Sequence, residues 1–126
     1  MRPKTLAEVA QLVINGDSFE RCLANLLDEF YVAPNAKALA DAPVLLAPVL
    51  GDPGRVPDAY LAATAEELAR VHGFSVPTWV AAETRKLHRP WFASPLAALR
   101  AVLLLESPAA FRSRNLFISE NALSRA

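Results

Sequence analysis

Helix-start and helix-stop residues punctuate this chain from end to end, and no segment alternates apolar and polar residues over a useful length. That combination leaves little room for a sheet, since a half-buried strand needs a period of two. Thr5 and Glu8 have the spacing of a capping box, in which the hydroxyl takes an orphan amide and the carboxylate reaches back. A helix follows to about Ile14, with Leu6, Val9, Ala10 and Val13 as its apolar stripe. Gly16 fits the position after the helix, where φ is often positive. Asp17 and Glu20 repeat the box, and Phe19, Leu23, Leu26, Leu27 and Phe30 then recur at helical spacing. The first 31 residues therefore predict a hairpin of two amphipathic helices.

Prolines set the later boundaries. Pro34 opens a short helix in "NAKALADA" and Pro43 stops it. Four prolines and two glycines between Ala42 and Pro57 surround the apolar "VLLAPVL", which predicts an irregular buried strap or a short helix. Pro57 starts a helix with Tyr60, Leu61, Ala65, Leu68 and Ala69 inward, ending at Gly73. Pro77 sets up a short helix to about Leu87, and Pro90 ends it. Ser94 and Pro95 open the next, whose Leu96, Leu99, Val102, Leu103, Leu104 and Leu105 are apolar nearly all round. A helix of that kind reads as the central buried one. Ser107 and Pro108 start a further helix, and Ser119 caps a last turn. "NLFIS" is the one strand-like stretch, and one strand makes no sheet. The expected architecture is all-α: a compact array of about six or seven helices, with residues 1–126 as a single domain.

Composition bounds the function. The hydrophobic fraction of 53% argues against disorder. Formal charge is zero, so no net basic field draws in nucleic acid, although the balance is uneven. Residues 1–62 hold five Lys/Arg against eight Asp/Glu, and residues 63–126 hold eight against five. The halves either attract each other or present a basic face to an acidic partner. Cys22 is the single cysteine, so no disulfide forms within the chain. With no signal-peptide pattern and no apolar run long enough to span a bilayer, the expected location is the cytoplasm.

Sites for chemistry are sparse. His72 and His88 have no metal-ligand spacing, glycines are not clustered, and GxSxG is absent. Asp28–Glu29 and Glu66–Glu67 are adjacent and point to different sides of a helix. The expectation is a protein that is not an enzyme, with no metal site and no cofactor.

Two binding readings remain. "TAEELARVHGFSVPTWVAAETRKL" has a small residue, Ala69, four before the turn glycine, then Phe74, then a second helix carrying Thr78, Thr84, Arg85 and Lys86, with Arg89 beyond. That spacing matches a helix-turn-helix DNA-binding regulator. Pro77 crowds the turn that should read bases, and the basic residues come late, where they suit phosphates. The other reading is protein binding. The ending "AFRSRNLFISENALSRA" sets Phe111, Phe117 and Leu123 among Arg112, Arg114 and Arg125, the mixture enriched at interface hot spots. Trp79, Trp91 and Phe92, each close to a proline, form a second aromatic cluster. The equally plain alternative for the tail is a segment folded back onto its own core.

"LARVHGFSVPTWV" and "ESPAAFRSRNLFISENALSRA", and more weakly "LVINGDSFERCLANLLDEFY", resemble a group of small, uncharacterised all-helical proteins of high-GC bacteria. The resemblance spans roughly residues 60–126. It implies a protein encoded beside a nucleotidyltransferase-like protein, as in toxin–antitoxin modules, and hence an antitoxin-like partner of that toxin. It carries over no catalytic residue. Protein binding is therefore the leading expectation and nucleic acid a secondary one, with no membrane partner; the oligomeric state is left open.

Overall fold

The computed structural model describes residues 2–125, which form seven α-helices and one two-residue parallel strand pair. The opening hairpin follows from its caps. In α1 (Leu6–Ile14) the Thr5 hydroxyl accepts from the Glu8 amide at 3.1 Å, and the Glu8 carboxylate accepts from the Lys4 amide at 2.7 Å. The box thus reaches one residue further back than its usual form. Gly16, at φ +106°, ends the helix with the paired amides of a Schellman motif: Gly16 donates to Val13 and Asp17 to Leu12. In α2 (Phe19–Val32) the cap is Ser18 rather than the expected Asp17, with its hydroxyl accepting from Arg21. Both predicted stripes face inward.

α3 (Lys37–Ala40) is short, as the prolines around it require. Of the strap's apolar "VLLAPVL" only Leu46 is buried, while Val44, Val49 and Leu50 turn outward; the strap holds α4 (Ala47–Leu50) and a 3-10 turn at Asp52–Gly54. Buried Asp58 anchors the strap, its two carboxylate oxygens accepting from the amides of Leu46 (2.7 Å) and Ala47 (3.0 Å). Gly54 lies flat on the same backbone; a Cβ there would sit 2.6 Å from the Ala47 nitrogen.

α5 (Arg55–His72) is the central helix. Ala59, Leu61, Ala62, Ala63, Thr64, Ala65, Leu68 and Ala69 are all buried, and the small side chains let neighbours approach its axis closely. Gly73, in the left-handed conformation, ends it as predicted.

Three expectations fail beyond this point. The stretch after Pro77 forms two 3-10 turns, Thr78–Ala81 and Glu83–Arg85, and no α-helix. Extended backbone at Ala82 separates them. Arg85 is drawn inside instead, donating to the carbonyls of Asp58 (3.2 Å) and Pro43 and lying 4.9 Å from the Trp79 ring centre. "NLFIS" does pair: β2 (Leu116–Phe117) runs parallel to β1 (Trp91–Phe92), a partner with too little pattern to be read as a strand. Asn115, at φ +64°, turns the chain into β2 and donates its side-chain amide to the Leu87 carbonyl at 2.7 Å.

The third failure is α6 (Ala97–Glu106), the helix expected at the centre. Only Leu103 is buried there. Leu96, Leu99, Val102 and Leu104 are each more than 40% exposed, and Leu105 is 84% exposed. After α7 (Ala109–Arg112) the chain returns to the core, and Phe111, Leu116, Ile118 and Leu123 join the cluster that begins with Leu6. No helix is long and apolar enough to cross a membrane among the described residues.

Candidate partner-binding site

The arginine–aromatic tail separates into interior and surface. Phe111, Arg114, Phe117 and Leu123 are all buried. Arg114 is an internal tie. Its guanidinium donates to the carbonyls of Ala110 (2.6 Å) and Val80 (2.9 Å) and pairs with Glu66 at 2.8 Å, joining α7, the 3-10 turn at Thr78–Ala81 and α5. In this arrangement these side chains lie inside the fold, as in the alternative of a segment folded back onto its own core. Burial explains it: five large apolar side chains within 17 residues fold against their own core.

Arg112 stays exposed, and so does Arg125. The Arg125 Nε lies 2.8 Å from Asp28 Oδ1, which ties the end of the chain to α2. That hydrogen bond, with the Arg125 charge and the nearby Arg2 behind it, holds the Asp28 carboxyl below its ordinary pKa. The same contact raises the Arg125 pKa. The Tyr31 hydroxyl donates to the Leu123 carbonyl at 2.9 Å, a second latch between α2 and the tail.

The aromatic cluster also divides. Trp79 is half-buried and donates its indole N–H to the Leu39 carbonyl at 3.0 Å, a structural anchor. Phe92 stacks on Phe117, ring centres 5.1 Å apart, beneath the Arg100 guanidinium at 5.2 Å. Trp91 faces a cleft.

That cleft, about 750 Å³, lies between α2, the start of α5 and the returning tail. Phe19, Leu23, Leu27, Tyr60, Trp91 and Ile118 give it an apolar lining, while Glu20, Ser119 and Arg125 supply polar groups. Tyr60 meets Phe19 and Phe111 edge-on, at 5.8 and 4.9 Å. Burial, with the Glu20 charge adding, pushes the Tyr60 hydroxyl up to about 12, so it is a neutral donor at physiological pH. The structure thus brings Trp91 and Arg125 to one site and adds Phe19 and Tyr60, which sequence reasoning had assigned to helix faces, and Glu20, which it had assigned to a capping box. Their convergence depends on how α2 crosses α5, for which the sequence carries no local signal.

The DNA-binding alternative loses its geometry. Thr78, Thr84, Lys86 and Arg89 are exposed, but on 3-10 turns and loop with no recognition helix to insert, and Lys86 pairs with Glu83 at 3.2 Å. Arg85, expected to hold phosphate, is buried, and desolvation lowers its pKa while the Asp58 charge opposes that.

No cluster of three or more potential metal ligands occurs among the described residues. Cys22 is buried, with its thiol pKa raised by desolvation. His72 packs against the rings of Phe30 and Phe74, its Nδ1 3.0 Å from the Leu68 carbonyl.

Seven helices, with α5 the longest, an apolar cleft open on one side and α6 largely exposed, define a mostly helical protein. Compared with known proteins, the chain matches no family model, no curated protein and no solved structure.

Proposed function

We propose that this is a cytoplasmic, non-enzymatic protein-binding module, an antitoxin-like partner of another bacterial protein, and that its cleft takes an apolar segment of that partner. The observation that carries the reading is the cleft itself: three aromatic side chains, Phe19, Tyr60 and Trp91, with Arg125 at the same site. Aromatic and arginine side chains are the types that anchor interfaces, and an amphipathic helix laid in an apolar groove is a recurrent docking mode. Two or three apolar anchors of the partner would fill the cleft. Glu20 would meet a cation, and Arg125 would exchange Asp28 for a carboxylate of the partner, in the strong charge-assisted form of contact. The antitoxin-like role rests on the resemblance of residues 60–126.

The test uses two exposed positions on the cleft, Ala93 and Ala122. Peptides are selected from a displayed library on the native protein and re-measured on the Ala93→Arg, Ala122→Arg variant. Peptides that lose affinity at least tenfold support the reading. A selection that returns none, or only peptides indifferent to the substitutions, overturns it. Co-expression with the product of the adjacent gene tests the antitoxin-like role separately: relief of that product's toxicity supports it, and unrelieved toxicity refutes it.

A further inference from the structure

The segment Ser119–Arg125 lies across the molecule without joining its backbone network. Among the described residues its backbone amides donate only within the segment: Ala122 to the Ser119 carbonyl, Ser124 to the Asn121 carbonyl and Asn121 to the Ser119 hydroxyl. Leu123 is its one buried residue. Two polar ties, the Tyr31 hydroxyl on the Leu123 carbonyl and the Arg125–Asp28 pair, both reach α2.

This segment separates two cavities. The cleft of about 750 Å³ lies on one side and a cavity of about 310 Å³ on the other, and Ile118 and Ser119 line both. The helices behind them continue from one cavity to the next. On α2, Phe19, Leu23, Leu27 and Tyr31 recur every four residues along one ridge, the first three in the cleft and Tyr31 in the second cavity. On α5, Tyr60 lines the cleft, and Leu68 and His72 line the second cavity. The rings of Phe19 and Tyr60 lie 5.8 Å apart, and those of Tyr31 and His72, twelve residues further along each helix, lie 6.2 Å apart. The two helices therefore run side by side in the same sense for about 18 Å. The cavities are two ends of one groove, and Ser119–Arg125 is a clasp across it.

We infer that the clasp is displaceable, and that lifting it opens the whole groove to a basic amphipathic helix of about three turns, supplied by the partner. The inference rests on the cleft reading and deepens it: the closed clasp competes with the partner, so binding and opening are coupled. Length and charge set the occupant. Three helical turns span about 16 Å, close to the length of the ridge from Phe19 to Tyr31. When Arg125 leaves, Asp28 is left to share Arg2 with Glu29, at 3.4 and 3.2 Å, so two carboxylates divide one cation. Glu20, two turns earlier on α2, has no ion pair among the described residues, and Glu67 on the opposite wall keeps its pair with Arg70 at 2.6 Å. A helix with cations about two turns apart meets both Glu20 and Asp28, and an acidic helix is repelled by them. The clasp already displays this chemistry within the chain, since Leu123 and Arg125 place an apolar side chain and a cation against the same groove.

Single variants of the full chain separate the clasp from the cleft, with the peptides selected on the native protein as probes. Ala93 lines the cleft but lies outside the clasp, so Ala93→Arg should weaken binding at least tenfold. Ala122 is carried by the clasp, so the arginine of Ala122→Arg leaves with it and should not weaken binding. Leu123→Ala removes the buried anchor and leaves both helix walls intact; by destabilising the closed state it should tighten binding at least threefold, because less of the affinity is spent on opening. Hydrogen exchange at Ser119–Arg125 should quicken when a peptide binds, while exchange in α2 and α5 slows. The selected peptides should be basic, with Lys or Arg seven or eight residues apart. Where Leu123→Ala fails to fold, Ala122→Arg and the exchange data still decide. Peptides blocked by Ala122→Arg alone, or bound with the protection of Ser119–Arg125 unchanged, overturn the clasp and leave the cleft reading standing. Neutral or acidic peptides overturn the partner chemistry inferred here. A selection that returns no peptide fails the cleft reading and this inference with it. A dimer that exchanges clasps, seen in sedimentation as twice 13.6 kDa and lost in Leu123→Ala, overturns it in favour of a second copy.

Discussion

Arg112 and Arg114 are two residues apart and should differ sharply in what they contribute, which makes their replacement by methionine a direct test of the buried tie. Methionine keeps much of the arginine stem and removes the charge and the donors. At Arg114 the loss leaves the Val80 carbonyl without its partner, because no other donor reaches it among the described residues, whereas the Ala110 carbonyl keeps a bond from the Ser113 hydroxyl at 3.2 Å. One orphaned buried carbonyl costs about 1–3 kcal/mol. Glu66 also loses its cation, but it is 30% exposed and water partly compensates, which places this pair below the full 3–5 kcal/mol of a completely buried one. Arg114 Nε is itself buried without a partner, which trims the native advantage. The sum is a destabilisation of about 2–4 kcal/mol. For a chain of 126 residues that lowers the thermal midpoint by roughly 8–15 °C. Arg112→Met, on the surface, should stay within about 0.5 kcal/mol of the native protein. Equilibrium urea unfolding followed by the fluorescence of Trp79 and Trp91 measures both, and a cycle with Glu66→Gln isolates the pair. If Arg114→Met costs no more than Arg112→Met, the tie is not holding the tail to α5 and the account of the C-terminal segment is wrong.

Other perturbations read other parts of the fold. Asp28, whose carboxyl is held below its ordinary 3.8 chiefly by the Arg125 hydrogen bond, contributes stability that is present above the unfolded-state pKa and lost as pH falls through the depressed value. Hydrogen exchange at Ser119–Arg125 should therefore quicken below about pH 4, and Asp28→Asn should produce the same quickening at pH 7; unchanged protection in both would contradict the latch. Tyr60 is displaced the other way, to about 12, so its contribution is complete below the ordinary tyrosine value and disappears as pH rises through the range above it. Absorbance near 295 nm should show its ionisation together with alkaline unfolding; a tyrosine ionising near 10 in the folded Tyr31→Phe protein would place Tyr60 in water. Gly54→Ala puts a methyl group against the Leu46–Ala47 backbone and should cost about 1–3 kcal/mol in urea unfolding, whereas no loss would mean that the strap moves freely away from α5.

Local chemistry determined a good part of this protein without reference to its fold. The Thr5–Glu8 box, the Gly16 and Gly73 stops, the stripes of α1 and α2 and the start of α5 near Pro57 are effects of a few neighbouring residues on their own backbone, and they hold in the structure with shifts of one or two positions. The cleft was half legible: Trp91 and Arg125 stood out by residue type, whereas Phe19, Glu20 and Tyr60 joined them only because α2 and the tail pack beside α5. Arg85 and Arg114 read as surface cations, since nothing local announces a buried guanidinium; carbonyls contributed from 42 and 34 residues away draw them inside. The exchange of roles between α5 and α6 has the same origin. Hydrophobicity records how strongly a helix resists water, not which molecule removes it from water. Alanine-rich α5 takes the centre because its neighbours can close around a thin helix, and leucine-rich α6 is left outside with most of its apolar side chains exposed.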